Sequence, residues 1–241
     1  MCNKTKFYLQ KKNLKKLGYL KGGKTMVTNN GRIKSNAELR AAAREQLKGN
    51  WATAVLMCLI SSLLCSLPCF IPFLAPAITM LIFAPIALGL SSCFLKLVRN
   101  QPFRLEDLFD GFKNYTSALL LQILMSIYIL LWSLLLVIPG IVAAYSFSMA
   151  FYILSDNPQI GAMGALMESK KMMMGHKWKL FCLHLSFIGW AVLSILSLGI
   201  GFLWLVPYVN ASVANFYQNL KDASSWGQGD YQVVSADKAS V

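Results

Sequence analysis

The chain contains 241 residues, of which 56% are hydrophobic and only 14% are charged. A soluble domain usually carries about a quarter charged residues, so this composition excludes an ordinary soluble protein and indicates a chain built for a bilayer. The net charge is +13, but no helix-turn-helix, RNA-binding or zinc-finger signature accompanies it, so nucleic acid is not an expected partner. Membrane lipids with anionic headgroups are the expected partner of the excess cations.

The charged residues are confined to blocks that are separated by long uncharged stretches. No Asp, Glu, Lys or Arg occurs between Lys48 and Lys96, between Lys113 and Asp156, or between Lys179 and Lys221. These stretches hold 47, 42 and 41 residues. A spanning helix needs roughly 20 apolar residues, so each stretch predicts a helical hairpin with two crossings.

Proline and glycine near the middle of each stretch predict the turns of these hairpins. They occur within residues 68–76, at Pro139-Gly140 and at residues 199–201. The predicted spans are residues 52–67, 77–95, 117–138, 141–155, 180–198 and 202–217. The fold class is therefore an all-α integral membrane protein with about six transmembrane helices arranged as three hairpins. The fourth and sixth spans are short, and Pro207 interrupts the sixth, so either could be tilted or incompletely spanning.

Three hairpins would return the chain to one side, which then carries every charged block. The 23 cations all lie in residues 1–50, 96–116, 156–179 and the tail after residue 217. The positive-inside rule places that side, with both termini, in the cytoplasm. The expected location is the plasma membrane, with the protein crossing it several times.

Three regions follow from this distribution. Residues 1–34 form a basic N-terminal segment that we expect to be disordered, residues 35–217 form the polytopic membrane domain, and residues 218–241 form a polar cytoplasmic tail. The Lys-Gly-Gly just before Met26 could be encoded by a ribosome-binding sequence, so we hypothesise that the natural start is Met26 and that residues 1–25 are not translated. The first apolar run begins only near Trp51, so we expect no cleavable signal peptide.

An amphipathic interfacial helix is predicted on the cytoplasmic side before each hairpin. The first has Ser35 and Glu38 at capping-box spacing and an apolar face of Leu39, Ala43 and Leu47. The second is expected to place Leu105, Leu108, Phe109 and Phe112 on one face. The third begins with Asn157 as N-cap and Pro158 at the first helical position, and its apolar face is Ile160, Met163, Met167 and Met174.

The three helices end alike, in "KGNW" at 48–51, "DGFKNY" at 110–115 and "MGHKW" at 174–178. Glycine lets a helix stop, and an aromatic residue beside a cation or amide is typical of the headgroup level. A metal site made of His176 and the preceding methionines is the alternative, but the chain has only two histidines. The candidate lipid contacts are Arg40, Arg44, Lys48, Trp51, Lys170, Lys171, Lys177 and Trp178.

Four polar side chains are predicted to share one depth in the membrane. Gln122, Ser148, His184 and Asn210 each lie six or seven residues from a residue expected at the cytoplasmic interface. At 1.5 Å per residue, this places them roughly 9 to 10 Å below that surface. Polar groups in hydrocarbon need partners. The two interpretations are hydrogen bonds between helices and a cavity for a lipid headgroup or small polar solute.

No nucleophile-base motif, phosphate-binding loop or metal-ligand spacing is present, so neither an enzyme nor a bound cofactor is predicted. The cysteines are interpreted as small core or lipid-facing residues, with a Cys65–Cys69 disulfide as the alternative. The favoured function is a non-catalytic membrane protein that interacts with lipid or belongs to a membrane complex, whose protein partners the sequence does not identify. The alternative is a small transporter or permease for a lipid or small polar solute, since prolines and glycines within six helices could enclose a path.

Four segments carry a resemblance to a known family: "LKGNWATAV" (47–55), "LWSLLLVIPGIVAAYSFSMAFYILSDNP" (131–158), "SKKMMMGHKWKLFCLHLSFIGW" (169–190) and "GIGFLWLVPYVNASVANFY" (199–217). They resemble a bacterial family of multi-pass membrane proteins that is classified as a domain of unknown function. The resemblance covers about residues 36–217. It implies a bacterial origin and a membrane location, and it supplies no activity that could be assigned to particular residues.

Overall fold

The protein is described here from a computed structural model. It describes residues 33–66 and 75–238, and the side chains of residues 33–66 and 79–223. Every regular element in these residues is a helix and none is a strand, which confirms the all-α class. The predicted turn at 68–76, the basic segment up to residue 32, the Met26 start and Cys69 of the alternative disulfide fall wholly or mainly outside the described residues.

Ten α-helices are described within these ranges. They are α1 (Asn36–Leu47), α2 (Trp51–Ser66), α3 (Ala75–Val98), α4 (Tyr115–Leu135), α5 (Val137–Phe147), α6 (Ala150–Asp156), α7 (Gly161–Met172), α8 (Lys177–Leu185), α9 (Ile188–Leu196) and α10 (Phe202–Lys238). Two 3-10 helices, Leu105–Asn114 and Pro158–Ile160, precede α4 and α7.

Four helical segments of the described chain are long and apolar enough to cross a membrane. They are Thr79–Val98, Leu105–Leu135, Val137–Asp156 and Lys177–Leu196. The pair α1 and α2 meets the same criterion as one span that is bent by 100°. The structure therefore offers four or five candidate crossings, whereas the sequence predicted about six. The predicted sixth span, residues 202–217, lies at the start of α10. This end of α10 is not apolar enough to count as a crossing, because polar residues interrupt it: Asn210, Asn215, Gln218 and Asn219.

Helix α1 begins with the predicted capping box. The Ser35 hydroxyl accepts a hydrogen bond from the backbone N–H of Glu38, and the Glu38 carboxylate accepts one from the Ser35 N–H. Leu39, Ala43 and Leu47 are buried, and α1 packs chiefly on α10. Gly49 then turns the chain into α2 with φ of +87°, a conformation that glycine adopts without strain.

The segment between α3 and α4 differs from its prediction. Residues 105–114 form a 3-10 helix, with three residues per turn, so Leu108 and Gly111 face the core. Phe109 and Phe112, which an α-helical period placed on the apolar face, are exposed instead. The tighter winding lets Gly111 approach the backbone of α3, which a larger side chain at this position would prevent.

The second hairpin turns earlier than predicted. Leu136 adopts an extended conformation between α4 and α5, so Pro139 and Gly140 lie in the first turn of α5. Proline is tolerated there because the first N–H groups of a helix have no partner within the helix. Gly140 is buried against Ser133, where a side chain would overlap the serine hydroxyl. The third turn is where it was predicted, with Leu198 and Gly199 at positive φ.

The core lies away from these two turns. Around them the apolar side chains are open, with Leu134 84% and Leu198 93% exposed, as expected for residues that contact acyl chains. Toward the charged ends of the helices, Leu121, Leu180 and Phe216 are completely buried. Packing between helices is thus concentrated beside the charged blocks. Polar and charged side chains of several segments meet there.

Candidate functional site

One carboxylate joins three helices at the charged end of the bundle. Arg99, just beyond α3, donates two hydrogen bonds to Asp156, from Nη1 to Oδ1 at 2.6 Å and from Nη2 to Oδ2 at 2.8 Å. The Tyr217 hydroxyl of α10 donates to the same carboxylate at 3.0 Å, and Lys221 forms an ion pair with it. The Asp156 side chain is only 9% exposed. This network holds α3, α6 and α10 together, and the sequence analysis did not identify it.

The other ion pairs of the described residues connect α3 to the following 3-10 helix or lie within that helix. Lys96 lies 3.0 Å from Asp107 and 4.0 Å from Asp110, and Lys113 lies 2.7 Å from Asp110. These contacts neutralise cations locally. Lys96, Arg99, Lys113 and Lys221 are therefore occupied with structural partners.

The cations predicted to contact lipid behave differently. None of the six forms an ion pair with a carboxylate of the described residues, and all are exposed or partly exposed. Trp178, predicted at the same level, is 73% exposed. The unpaired cations are Arg40, Arg44, Lys48, Lys170, Lys171 and Lys177.

A cavity of about 700 Å³ lies between the α1–α2 joint and the α9–α10 hairpin. Three tryptophans from separate helices line it, and we call it the tryptophan cavity. Its other walls are leucines, the two hydroxyls of Ser194 and Ser197, and the polar pair Arg44 and Tyr208. The tryptophans are Trp51, Trp190 and Trp204.

Arg44 and Tyr208 form the polar part of the tryptophan cavity. Arg44 Nη2 donates to the Tyr208 oxygen at 3.3 Å, and the guanidinium carbon lies 5.9 Å from the centre of the tyrosine ring. The tyrosine hydroxyl donates in turn to the backbone oxygen of Arg40. An arginine has five N–H donors, so most of those of Arg44 remain available to an anionic ligand.

A second cavity, of about 390 Å³, lies among α4, α5, α7 and α8. We call it the lysine cavity, because Lys170 and Lys177 both line it. Its remaining walls are almost entirely apolar or aromatic and include Tyr128, Trp132, Phe147 and Met167. Both cavities have volumes typical of small-molecule sites.

The methionine-rich stretch before Lys177 is a joint, as predicted. Helix α7 ends at Met172, and Gly175 has φ of +79° before α8 begins at Lys177. Burial, and then the nearby charge of Lys179, lower the pKa of His176, so its imidazole is neutral at pH 7. The described residues contain no cluster of three or more His, Cys, Asp or Glu that could hold a metal ion. Met163, Met167 and Met174, predicted as the apolar face of α7, are exposed, and its buried face is Ala162, Ala165, Leu166 and Ser169.

The four polar residues predicted at one depth make local hydrogen bonds. Gln122 donates to Ser126, Ser148 donates to the oxygen of Tyr145, and Asn210 donates to that of Val206. His184 Nδ1 lies 3.0 Å from the oxygen of Leu180. No hydrogen bond of the described residues joins two of the four, and none lines either cavity. Their joint role remains a prediction.

Sequence reasoning also missed Ser169, which is completely buried in α7. Its hydroxyl donates to the oxygen of Ser146 at 2.9 Å and accepts from the N–H of Met149 at 3.2 Å. These contacts occupy the break between α5 and α6. A serine beside lysines carries no signal of such a role, whereas Asp156 could have been noticed as the only acidic residue between Asp110 and Glu168.

Comparison with known proteins identifies one family. The chain matches it over residues 26–145 and again over residues 134–224, which together cover most of the sequence. Neither the curated proteins nor the solved structures yield a match. The resemblance to a domain of unknown function is thereby confirmed, and the chain belongs to the family described as "Protein of unknown function (DUF975)".

Proposed function

We propose that this protein is a non-catalytic integral membrane protein of the bacterial cell membrane that binds anionic lipid headgroups at its cytoplasmic face. The observation that carries the proposal is a division among the cations. Lys96, Arg99, Lys113 and Lys221 have carboxylate partners, whereas the six predicted lipid contacts have none among the described residues.

The division has a physical consequence. A cation that is paired within the protein adds little to the field that an anionic lipid meets, because its partner cancels most of its charge. The unpaired cations of α1, α7 and α8 keep their full charge next to apolar and aromatic surface. Lys and Arg placed this way are attracted to the anionic surface of the cytoplasmic leaflet.

The tryptophan cavity supports the same function. Tryptophan is enriched where apolar protein surface meets the headgroup level, because its ring is apolar and its N–H can donate a hydrogen bond. Arg44 belongs both to the set of unpaired cations and to the wall of this cavity. It can therefore bind a headgroup while the cavity walls contact the apolar part of the same lipid.

Replacing Arg44 and Lys48 together by glutamine is expected to weaken the stabilisation that phosphatidylglycerol confers on the purified protein. Loss of two cations beside an anionic headgroup, at about 1 kcal/mol each, should lower the apparent lipid affinity by roughly 30-fold. The measurement is thermal unfolding in detergent across a titration of phosphatidylglycerol, with phosphatidylcholine as the zwitterionic comparison.

The matched control replaces Lys96 and Lys113 by glutamine. It removes the same charge, but both lysines are already paired, Lys96 with Asp107 and Lys113 with Asp110. We expect this variant to respond to phosphatidylglycerol as the parent protein does. Equal losses in the two double variants, or no loss in either, would contradict the proposal.

A small transporter remains the alternative, and the lining of the cavities argues against a polar solute. Both cavities are walled mainly by apolar and aromatic side chains, and the four intramembrane polar residues line neither. A route for a polar solute would need convergent polar groups along its length. These walls suit the acyl part of a lipid better.

The proposed topology places both termini in the cytoplasm. It counts the bent α1–α2 pair as one crossing and requires α10 to return through the membrane beside α1 and α3. Helix α10 falls short of the apolar criterion, but one of its polar side chains, Asn215, is paired with Gln46 of α1. A phosphatase that is active only outside the cytoplasm should be inactive when fused after residue 104 or 171, because these positions follow cation-rich blocks. The same enzyme fused after Gly199 should be active. Activity after residue 104 or 171 would overturn the topology.

A further inference from the structure

The lysine cavity has its charge and its apolar surface at different levels. Ser169 precedes Lys170 and contacts Ser146 and Met149, so the end of α7 lies level with the end of α5. Pro139, which also lines the cavity, lies seven residues before Ser146 on α5, about 10 Å farther toward the α4–α5 turn. The cavity therefore extends from the lysines toward the membrane interior.

Aromatic side chains line the middle and far parts of this cavity. The rings of Tyr128 and Phe147 lie 5.7 Å apart, at the level of the end of α5. Trp132 follows Tyr128 by one turn of α4 and is nearer to the α4–α5 turn. Away from the lysines, the lining residues thus offer mostly rings and aliphatic groups, which suit an acyl chain better than a water-soluble ligand.

Neither lysine of the cavity forms an ion pair with a carboxylate of the described residues. Lys170 lies in the last turn of α7, where the helix dipole favours a cation. Lys177 is the first residue of α8, whose first turn has no acidic side chain, so the dipole of its own helix opposes its charge. An anion between the two lysines would compensate for that placement.

We propose that the lysine cavity binds a single anionic phospholipid, with the phosphate between Lys170 and Lys177 and an acyl chain along Tyr128 and Trp132. This inference rests on the proposed lipid binding and assigns it a discrete site and stoichiometry. The two lysines complement a phosphate at one level of the cavity, and the apolar walls at the next level suit an acyl chain. A phospholipid has both parts. A free phosphate would use only the lysines.

The first test removes the charges. Native mass spectrometry of the full-length protein in detergent, titrated with phosphatidylglycerol, should show one lipid per chain retained at the lysine cavity, in addition to lipid held at the tryptophan cavity. In the variant K170Q/K177Q the affinity of the lysine-cavity lipid should fall about 30-fold, since two headgroup contacts are lost. The control R104Q/K113Q removes two exposed cations that line neither cavity and are not among the proposed lipid contacts, and it should retain the lipid.

The second test changes only the apolar wall. Val142 lines the cavity and Ile141 does not, although both are about half exposed on α5. Val142→Trp should fill the cavity and abolish retention of the single lipid, whereas Ile141→Trp adds the same ring elsewhere and should leave retention unchanged. Thermal unfolding without lipid verifies that both variants fold.

The outcomes separate this inference from the proposed function. If R104Q/K113Q loses lipid as strongly as K170Q/K177Q, or if Val142→Trp retains the lipid, the discrete site is overturned while general headgroup binding stands. If none of the variants changes the affinity of the protein for phosphatidylglycerol, both proposals fail. If glycerol phosphate stabilised the protein against thermal unfolding as much as phosphatidylglycerol does, the site would also be overturned, because the acyl chain would then contribute nothing to binding.

Discussion

Replacement of Gly111 by alanine is expected to prevent the 3-10 helix from docking on α3. A Cβ at this position would overlap the carbonyl oxygen of Pro85 and lie 2.7 Å from the backbone nitrogen of Gly89. These are backbone atoms of a packed helix and cannot rotate away as a side chain can. We expect the free energy of unfolding to fall by roughly 3 kcal/mol or more, which is at or beyond the upper end of the usual cost of overpacking.

Thermal unfolding in detergent, together with the yield of monodisperse protein, measures this effect. The matched control is Gly189→Ala, because a Cβ there meets nothing within 4 Å and the residue lies inside α9. Alanine is the better helix former, so this variant should be as stable as the parent protein or slightly more stable. Similar melting temperatures for the two variants would show that the close approach at Gly111 is not required.

Replacement of Asp156 by asparagine is the second change with a large expected effect. The carboxylate accepts two hydrogen bonds from Arg99 and one from Tyr217, and it also pairs with Lys221. Asparagine keeps the shape but removes the negative charge that Asp156 supplies to Arg99 and Lys221. Removing one partner of a buried ion pair lowers stability by about 3 to 5 kcal/mol. Because the cations here are partly hydrated, we expect a loss of about 3 kcal/mol, at the lower end of that range.

The comparison variant is Asp110→Asn, which removes a carboxylate whose partner Lys113 is exposed. Exposed ion pairs contribute little to stability, so its melting temperature should change only slightly. The Asp156 variant should also free α10, which limited proteolysis of the C-terminal segment can detect. Equal thermal shifts in the two variants would show that Asp156 does not hold α3, α6 and α10 together.

Neither Asp156 nor Gly111 lines a proposed lipid site. Their contacts hold α3, the 3-10 helix, α6 and α10, of which only α10 also forms a wall of the tryptophan cavity. Loss of lipid binding in the lysine variants without loss of stability would therefore be a functional effect. Loss of both in the Asp156 variant would be a structural one.

The sequence by itself determined the helical class and most of the helix positions. Each charge-free stretch is about twice as long as one membrane-spanning helix, which predicts two helices per stretch. The segments are helical because backbone N–H and C=O groups in hydrocarbon must be hydrogen-bonded within the protein. The cap at Ser35 and the glycine joints at Gly49 and Gly175 were also predictable, since caps and positive φ depend on neighbours in the chain. Local rules suffice for features of this kind.

Only the tertiary structure decided the winding of residues 105–114, the turn at Leu136 and the partners of Asp156. The 3-10 winding accompanies the contact of Gly111 with α3, and the early turn accompanies the packing of Gly140 against Ser133. Arg99, Tyr217 and Lys221 are 57, 61 and 65 residues from Asp156 in the chain, so no local pattern relates them. The same holds for the cavities, whose walls come from several helices. Which side chains meet depends on how the helices cross, and that is set by packing over the whole bundle rather than by the apolar pattern of any one segment.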